Sequence, residues 1–414
     1  MRYLLNAWYV AALSHEVSMR APFARVLLDQ SVVLFRGADG SPIALEDRCP
    51  HRFAPLSGGK LVEGALQCPY HGLRFGAGGR CVFNPHGDGR VPSRAQVREY
   101  PVRERYGAIW LWPGDPQRAQ TTPLPAFDYL DPQRSFTSEC YLHTRANYQL
   151  SADNLLDLSH LQYVHADTFG SEQIAKGAVQ ARVEGETVWV HRSSERERLS
   201  PMVAQSFNLM YAELADREFH VRWEPPGLVT IVIRACESGL PETAMEICSA
   251  HWLTPETPSS THYFFAFGLP RAMGPHGAEV VERTARSLVA PFRDEDVAML
   301  EAQQRAMGEH DFWSLRPVML PSDAGAIHAR RIMEKRIASE ALVDAHSNVQ
   351  PSPSGTALAQ SAAAAAGHDV RYCASDAGSG DCAADCVEDG VKDCADDTGD
   401  CADDCASAAG SAAR

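Results

Sequence analysis

Long hydrophobic runs are missing from this 414-residue sequence, and none approaches the roughly 20 apolar residues that a membrane-spanning helix requires. The first residues, MRYLLNAWYVAALSHEV, carry Arg2 and Asn6 within their apolar stretch. We therefore interpret them as a first β-strand and not as a signal peptide. These absences exclude a membrane protein and favour a cytoplasmic one.

Positive charge is also scarce. The chain has 38 Lys and Arg against 53 Asp and Glu, which gives a formal net charge of −15. Binding to nucleic acid requires a dense Lys/Arg surface, so nucleic acid is excluded as a main partner.

The cysteines do not form the pattern of a secreted disulfide scaffold. Six of the 12 cysteines lie in the last 45 residues, and two more belong to the motifs described below. A reducing cytoplasm, in which cysteine thiols stay free, fits this distribution.

The local pattern divides the chain into successive regions. Residues 1–115 contain short β-segments punctuated by Gly and Pro, which is typical of an all-β module. The Pro- and Asp-rich stretch 116–135 predicts a linker. Residues 136–345 mix strand-like runs with helical patterns, which predicts an α+β unit with an antiparallel sheet covered by helices. Its helices are expected near 147–165, 276–309 and 323–342.

The remaining residues, 346–414, lose this periodicity and become rich in Asp, Ala and Cys. Such low-complexity composition predicts a disordered tail, because the segment offers too little apolar surface to bury. A thiol-rich metal scavenger is the alternative.

Two short motifs near the start each contain one Cys and one His. Cys49 and His51 form the first, Cys68 and His71 form the second, and sixteen residues lie between the two motifs. Two thiolates and two imidazoles suit either a tetrahedral zinc site or a two-iron cluster with sulfur ligands on one iron and nitrogen ligands on the other. Zinc fingers generally place both Cys before both His, whereas here each loop supplies one of each. The order favours the iron–sulfur cluster, with zinc as the alternative.

A second group of polar residues interrupts the leucine-rich segment NYQLSADNLLDLSHLQYVH, namely Asn154, Asp157, His160 and His165. At about 100° per residue, the two imidazoles would diverge by about 140° on a regular helix. A bend, a π-bulge or a helix end is therefore expected between them. Two imidazoles need one carboxylate to complete the facial triad that binds non-haem Fe(II).

The candidate carboxylate lies in the amphipathic segment APFRDEDVAMLEAQQRAM. Asp296 falls on the same helical face as apolar residues such as Phe292, whereas Asp294 shares its face with Glu301. Asp296 is therefore the predicted third ligand. Asp294 and Glu295 are predicted to lie on a solvated face.

Several strings, in a shared order, carry a family resemblance. They are NAWYVAAL (6–13), CPHRFAPLS (49–57), LQCPYHGLRF (66–75), IWLWPGDP (109–116), DNLLDLSHLQYVH (153–165), LTPET (253–257) and EDVAMLEAQQ (295–304). With them the chain resembles the Rieske non-haem iron oxygenases, specifically the oxygenase components of the vanillate O-demethylase and dicamba monooxygenase type. The resemblance covers about 345 residues and leaves the tail without a counterpart.

The resemblance implies an N-terminal Rieske domain, a C-terminal helix-grip catalytic domain and a homotrimer assembled head to tail. It also implies the metal ligands: Cys49 and Cys68 on one iron of a 2Fe-2S cluster, His51 and His71 on the other, and His160, His165 and Asp296 on a mononuclear Fe(II).

Three further residues have roles that the resemblance implies. Asp157 resembles the carboxylate that links a cluster histidine of one subunit to an iron histidine of its neighbour. Asn154 resembles a residue near the mononuclear iron and is a candidate distant ligand. His251 resembles a residue that contacts a substrate carboxylate, with an ordinary core or surface histidine as the alternative.

The function that the resemblance implies is O2-dependent O-demethylation of a vanillate-like methoxylated aromatic acid, with release of formaldehyde. Electrons would come from NAD(P)H through a separate reductase or ferredoxin. Hydroxylation of a methyl group on an arylsulfonate or aryl carboxylate, and hydroxylation of an aromatic ring, are alternatives within the class. An electron-transfer Rieske protein and a zinc-binding scaffold are alternatives outside it.

Overall fold

The computed structural model describes residues 3–347, so the predicted tail lies outside the described residues from residue 348 onward. Short strands dominate the first third of the chain. They are β1 (Tyr9–Leu13), β2 (Phe23–Leu27), β3 (Gln30–Arg36), β4 (Pro42–Glu46), β5 (Lys60–Val62), β6 (Ala65–Gln67), β7 (Arg74–Phe75), β8 (Cys81–Phe83), β9 (Glu99–Tyr100), β10 (Val102–Arg105) and β11 (Ala108–Leu111).

These strands form three small antiparallel sheets, in the orders β1-β11-β10, β2-β3-β4-β9 and β5-β6-β7-β8. Val33, Phe35, Leu45, Leu66 and Phe75 are fully buried between the second and third sheets. The expected all-β first region is confirmed.

The second part of the chain is built on long strands and several helices. The elements are α1 (Pro116–Thr121), β12 (Ser135–Thr144), α2 (Tyr148–Leu156), α3 (Leu161–Val164), α4 (Glu172–Lys176), β13 (Ala178–Glu184), β14 (Thr187–Glu197), α5 (Pro201–Ser206), β15 (Ala215–Glu224), β16 (Leu228–Glu237), β17 (Leu240–Thr257), β18 (Ser260–Pro270), α6 (Gly277–Pro291), α7 (Ala298–Met307) and α8 (Ala324–Ser347). A π-helical turn, Phe292–Val297, joins α6 to α7.

One seven-stranded antiparallel sheet organises this part, in the order β12-β18-β17-β16-β15-β14-β13. Burial alternates along its strands: Val188 and Val190 on β14, and Val221 and Trp223 on β15, are buried while their neighbours are not. This period of two gives the sheet one apolar face. Helix α6 contacts β12 and β18, and α8 contacts β13, β14 and α2. The predicted α+β arrangement is confirmed.

The two parts share an apolar interface. The indole of Trp110 on β11 lies 5.2 Å from that of Trp252 on β17, measured between ring centroids. Nearby, the hydroxyl of Thr254 donates a hydrogen bond of 2.8 Å to the carbonyl of Val10. The described residues accordingly form one compact unit. The boundaries at residues 115, 136 and 345 stay predictions.

Residues 116–135 are not a free connection between the two parts. They contain α1 and a 3-10 turn, and the side chains of Ala119, Phe127 and Leu130 are buried in the interface. Their Pro and Asp content therefore reflects helix caps and turns as well as a crossing segment. Within residues 3–347, no helix combines the length and the apolar character needed to cross a bilayer.

Candidate metal centres

The two Cys–His loops have the same backbone shape. In each loop the cysteine N–H donates to the carbonyl five residues on, and the N–H four residues on donates back to the cysteine carbonyl. That fourth residue has a positive φ in both loops, 61° at Phe53 and 74° at Gly72. A left-handed conformation is uncommon for Phe. The first loop thus adopts the shape of the second, although Phe53 disfavours a positive φ.

The loops present their thiols inward and their imidazoles outward. Cys49 and Cys68 are buried, His51 is exposed and His71 is half-buried, and the two imidazole centroids lie 4.5 Å apart. Burial, together with the adjacent Cys68 thiol, raises the pKa of the Cys49 thiol to about 11. A bound metal is the partner that would convert such thiols to thiolates.

Single-zinc coordination is the alternative to be tested. A tetrahedral zinc site holds its ligand atoms about 2.0–2.3 Å from one ion, and therefore within about 4 Å of one another. Among the described residues, two groups bring three or more such atoms within 4.8 Å of one another, and neither includes Cys49, His51, Cys68 or His71. A buried thiol pair and a separate outward imidazole pair fit a cluster in which each pair has its own iron.

The predicted departure from a regular helix is present in the second motif, together with a further break before both histidines. Helix α2 ends at Leu156, and Asp157 accepts a hydrogen bond of 3.0 Å from Ser159 N–H to begin a 3-10 turn. One break thus precedes both histidines, and the helix end at Val164 lies between them, as the spacing predicts. The turn continues into α3, which ends just before His165, and this geometry brings the rings of His160 and His165 to 5.3 Å between centroids.

Asp296 meets both imidazoles from the π-helical turn. Its Oδ1 lies 3.4 Å from His160 Nε2 and 3.0 Å from His165 Nε2, and it accepts a hydrogen bond of 3.1 Å from Asn154. Burial by itself would raise the pKa of Asp296, but its contacts with His160 and His165 outweigh burial and lower the pKa to about 2. The structure therefore brings together one carboxylate and two imidazoles, as the sequence predicts.

The other nitrogen of each ring is also occupied. His160 Nδ1 lies 2.7 Å from the Asp157 carbonyl, and His165 Nδ1 lies 2.5 Å from Glu295 Oε2. Because both acceptors are oxygens, each Nδ1–H is placed to donate to them, and a cation beside Asp296 could then take the place of a proton at each Nε2. Burial lowers the pKa of His165, but Asp296 and Glu295 outweigh it and raise the pKa. The residues present thus fit a divalent cation at this point.

Glu295 is not the solvated side chain that the helical pattern predicts. Its carboxylate is about 29% exposed and accepts hydrogen bonds from His165 and from the Thr168 hydroxyl, the latter at 2.9 Å. Asp294, by contrast, lies on the surface beside Arg293, as expected. The sequence pattern gives no reason to place Asp294 and Glu295 differently. The π-helical turn decides which of them faces His165.

Beside this group lies a cavity of about 130 Å³ with a mainly apolar lining. Its apolar lining residues are Leu155, Leu158, Leu161, Phe169, Met202, Val203, Phe207, Phe219, Ile231, Ile233, Ile247, Phe267, Leu288 and Phe292. They come from the inner face of the sheet and from the helices that cover it.

His251 lies in the wall of this cavity. Its ring is buried, with Nε2 at 2.9 Å from the Ser249 hydroxyl and Nδ1 at 2.8 Å from the Tyr263 hydroxyl. Burial lowers the pKa of His251 to about 3, so the imidazole is neutral near pH 7. Sequence reasoning missed both of its partners, which lie on β17 and β18.

Arg217 is another lining residue that the sequence patterns did not indicate. It is buried and donates to Glu197, which is fully buried, and to the carbonyl of Phe169. The guanidinium is therefore already paired inside the protein.

Comparison with known families and proteins bears on both sites. Residues 7–101 match the Rieske [2Fe-2S] domain, and residues 144–339 match the vanillate O-demethylase oxygenase C-terminal domain. The chain is 39% identical to the dicamba O-demethylase oxygenase component of Stenotrophomonas maltophilia, over 81% of this chain and 98% of that protein. It is 38% identical to the chloroacetanilide N-alkylformylase oxygenase component of Rhizorhabdus wittichii, over 82% of this chain and 97% of that protein.

A solved structure of dicamba monooxygenase with non-haem iron and dicamba resembles the fold. The TM-score is 0.68 at 36% identity, over 83% of this chain and 100% of that one. The chain belongs to the Rieske non-haem iron oxygenases, as a monooxygenase component of the vanillate and dicamba O-demethylase type that uses a Rieske 2Fe-2S cluster and a mononuclear non-haem iron.

Proposed function

We propose that this oxygenase component O-demethylates a methoxylated aromatic acid and releases formaldehyde. The observation that carries the proposal is the convergence of His160, His165 and Asp296 in the wall of an apolar cavity. The cavity volume of about 130 Å³ is close to that of an engineered apolar cavity of about 150 Å³ that binds benzene, so it is of the order needed for one aromatic ring.

The assignment of metal ligands to individual residues belongs to the same proposal. Cys49, Cys68, His51 and His71 would hold the cluster, and His160, His165 and Asp296 would hold Fe(II), with Asn154 as a candidate distant ligand. When bound, the cluster supplies stored electrons and the mononuclear iron supplies the capacity to activate O2.

The protein residues orient the reactants and exclude water. The hydrogen bonds at Nδ1 of His160 and His165 hold their rings so that both Nε2 atoms face Asp296. The apolar side chains of the cavity keep bulk water away from the reacting methyl group. Both ring nitrogens of neutral His251 are held by Ser249 and Tyr263, so a hydrogen bond from His251 to a polar substituent of the ring would have to replace one of these two contacts.

The overall reaction balances with one O2, two protons and two electrons from NAD(P)H, the electrons being delivered by a separate reductase or ferredoxin. One oxygen atom enters a methyl C–H bond and the other leaves as water. The resulting hemiacetal separates into a phenol and formaldehyde without further help from the protein. A cytoplasmic location is part of the proposal, because the cluster thiolates must stay reduced.

Electron transfer between subunits would depend on Asp157 in a head-to-tail homotrimer. The carboxylate of Asp157 is about 18% exposed and lies 3.4 Å from Arg192, whose side chain is buried. We expect Asp157→Asn to keep both metal centres and to slow turnover by about 100-fold, as for loss of a supporting carboxylate. Iron content, the visible spectrum and turnover check this, with Asp294→Asn as the control. Normal turnover of the Asp157 variant would contradict the role.

A screen of methoxybenzoates with a working reductase tests the reaction itself. Formaldehyde released in proportion to O2 consumed is the expected result. A benzylic alcohol from methyl-substituted substrates would favour methyl hydroxylation, and a diol would favour ring hydroxylation. A cluster that is reduced without any O2 consumption would favour an electron-transfer protein.

Oxidation of a neutral N-substituted anilide is a second candidate. It is favoured by the pairing of Arg217 with Glu197, which leaves this lining guanidinium unavailable to a substrate carboxylate. The same screen should therefore include an anilide with an N-alkyl substituent. Faster turnover of the anilide than of every benzoate would favour anilide oxidation over O-demethylation of an aromatic acid.

A further inference from the structure

A second group of potential metal ligands lies on the opposite face of the large sheet. His191 on β14 and His220 on β15 are directly opposite each other in the antiparallel register. Glu218 lies two residues before His220 on the same strand and therefore on the same face. Their neighbours in sequence, Arg192 and Phe219, are buried on the inner face. The group is thus separated from the catalytic cavity by the sheet.

The three side chains converge. The rings of His191 and His220 lie 4.5 Å apart between centroids, and His220 Nε2 lies 3.7 Å from Glu218 Oε2. One ligand atom from each residue lies within 4.8 Å of the others, the same convergence that His160, His165 and Asp296 show. A strand pair favours such a triangle, because residues i and i+2 share a face and the cross-strand neighbour completes it.

We propose that His191, His220 and Glu218 form a binding site for a divalent transition-metal ion of the zinc, cobalt or nickel class. Two imidazoles select such ions over magnesium or calcium, which prefer oxygen ligands. The side chains of Glu218 and His220 are 40% and 46% exposed, so water can complete the coordination.

A bound ion would tie β14 to β15. The inner faces of these strands carry Arg192, which lies beside Asp157, and Arg217 and Phe219, which line the cavity. Because the ion needs the folded register, its binding would stabilise the folded chain. The site would therefore act on stability without contacting the substrate.

One neighbouring cation opposes metal binding. Arg234 Nη1 lies 3.8 Å from Glu218 Oε2, a contact too long for a strong ion pair. Glu218 is thus available, but the positive charge of Arg234 would repel a cation bound beside it. Arg234→Gln is expected to increase the affinity for the metal ion. An increase distinguishes a metal site from a solvated polar face.

Calorimetric titration of Ni²⁺ into the full holoenzyme tests the proposal. We expect the wild type to bind about one equivalent that His220→Ala loses or binds at least about tenfold more weakly. His276→Ala, which removes an exposed histidine outside the group, should bind as the wild type does. The cysteines of the tail and the catalytic histidines are present in every variant, so their contribution cancels in the difference.

His191→Ala provides an independent variant if His220→Ala disturbs the fold, which circular dichroism would reveal. Equal stoichiometry and affinity in the wild type and in both histidine variants would overturn the proposal. So would an Arg234→Gln variant that binds no more tightly than the wild type.

Discussion

At the scale of single residues, the most informative contact is that of His165 with two consecutive acidic side chains. Asp296 lies at Nε2, at 3.0 Å, and Glu295 lies at Nδ1, at 2.5 Å. One carboxylate is positioned to share a metal ion with the ring, and the other fixes the position of the ring proton. Asp296 therefore acts on metal binding directly, and Glu295 acts on it through the orientation of His165.

Glu295→Gln is expected to weaken metal binding at His160, His165 and Asp296 by about 10-fold or more, because the amide keeps a weaker hydrogen bond and loses the charge. Competition for Co²⁺ or Fe²⁺ against a chelator measures this effect independently of turnover. Asp294→Asn is the matched control, since Asp294 pairs only with exposed Arg293 among the described contacts. Equal affinity in the two variants would contradict the role of Glu295.

At the scale of secondary structure, the π-helical turn Phe292–Val297 decides which acidic residue reaches the metal centre. A π-helical turn contains one residue more than the corresponding α-helical turn. It follows Pro291 at the end of α6 and turns both Glu295 and Asp296 toward His165. The sequence pattern predicted that Asp296 faces inward, where it meets both imidazoles, but it gave no reason to place Glu295 beside His165.

Deletion of Arg293 should convert the turn to regular α-helix and displace Glu295 and Asp296 from their contacts with His165. We expect the iron content to fall from about three to about two per chain, while the visible spectrum of the cluster persists. Arg293→Ala, which keeps the length of the turn, should retain the full iron content. Full iron content in the deletion variant would show that the register of the turn is unimportant.

At the scale of the whole molecule, a neutral histidine lies at the junction of the two parts. His262 on β18 has Nδ1 at 2.9 Å from the Tyr141 hydroxyl and Nε2 at 2.8 Å from the carbonyl of Val26 on β2. Burial, followed by the charge of Arg25, lowers the pKa of His262 from 6.5 to about 4. Folding therefore holds this ring neutral where the unfolded chain would protonate it.

The free energy of unfolding should consequently fall as the pH drops from about 6.5 to about 4. In this window the unfolded chain binds the proton and the folded chain does not, so acidification favours unfolding. One such histidine contributes a slope of up to about 1.4 kcal/mol per pH unit. Urea unfolding at pH 6.5 and 5.0 should show a smaller loss of stability in His262→Gln than in the wild type. An equal loss in both would exclude this residue as a source of the pH dependence.

The sequence alone determined the features that depend on residues close together in the chain. The spacing of Cys49 with His51 and of Cys68 with His71 predicted the cluster loops, because each loop is a short turn with its own hydrogen bonds. The alternation of apolar residues likewise predicted the strands of both parts. The spacing of His160 and His165 required an irregular helix, although it did not locate the break at Asp157.

Tertiary structure decided what depends on residues distant in the chain. Glu295 faces His165 across 130 positions. Arg217 pairs with Glu197, twenty positions away on the neighbouring strand, and is therefore unavailable to a substrate. The cavity is lined from separate strands and helices, and residues 116–135 are buried between the two parts. A linear pattern reports which residues share a face of one element. Only the packing of elements against each other sets which side chains meet, because burial and pairing are properties of the assembled surfaces.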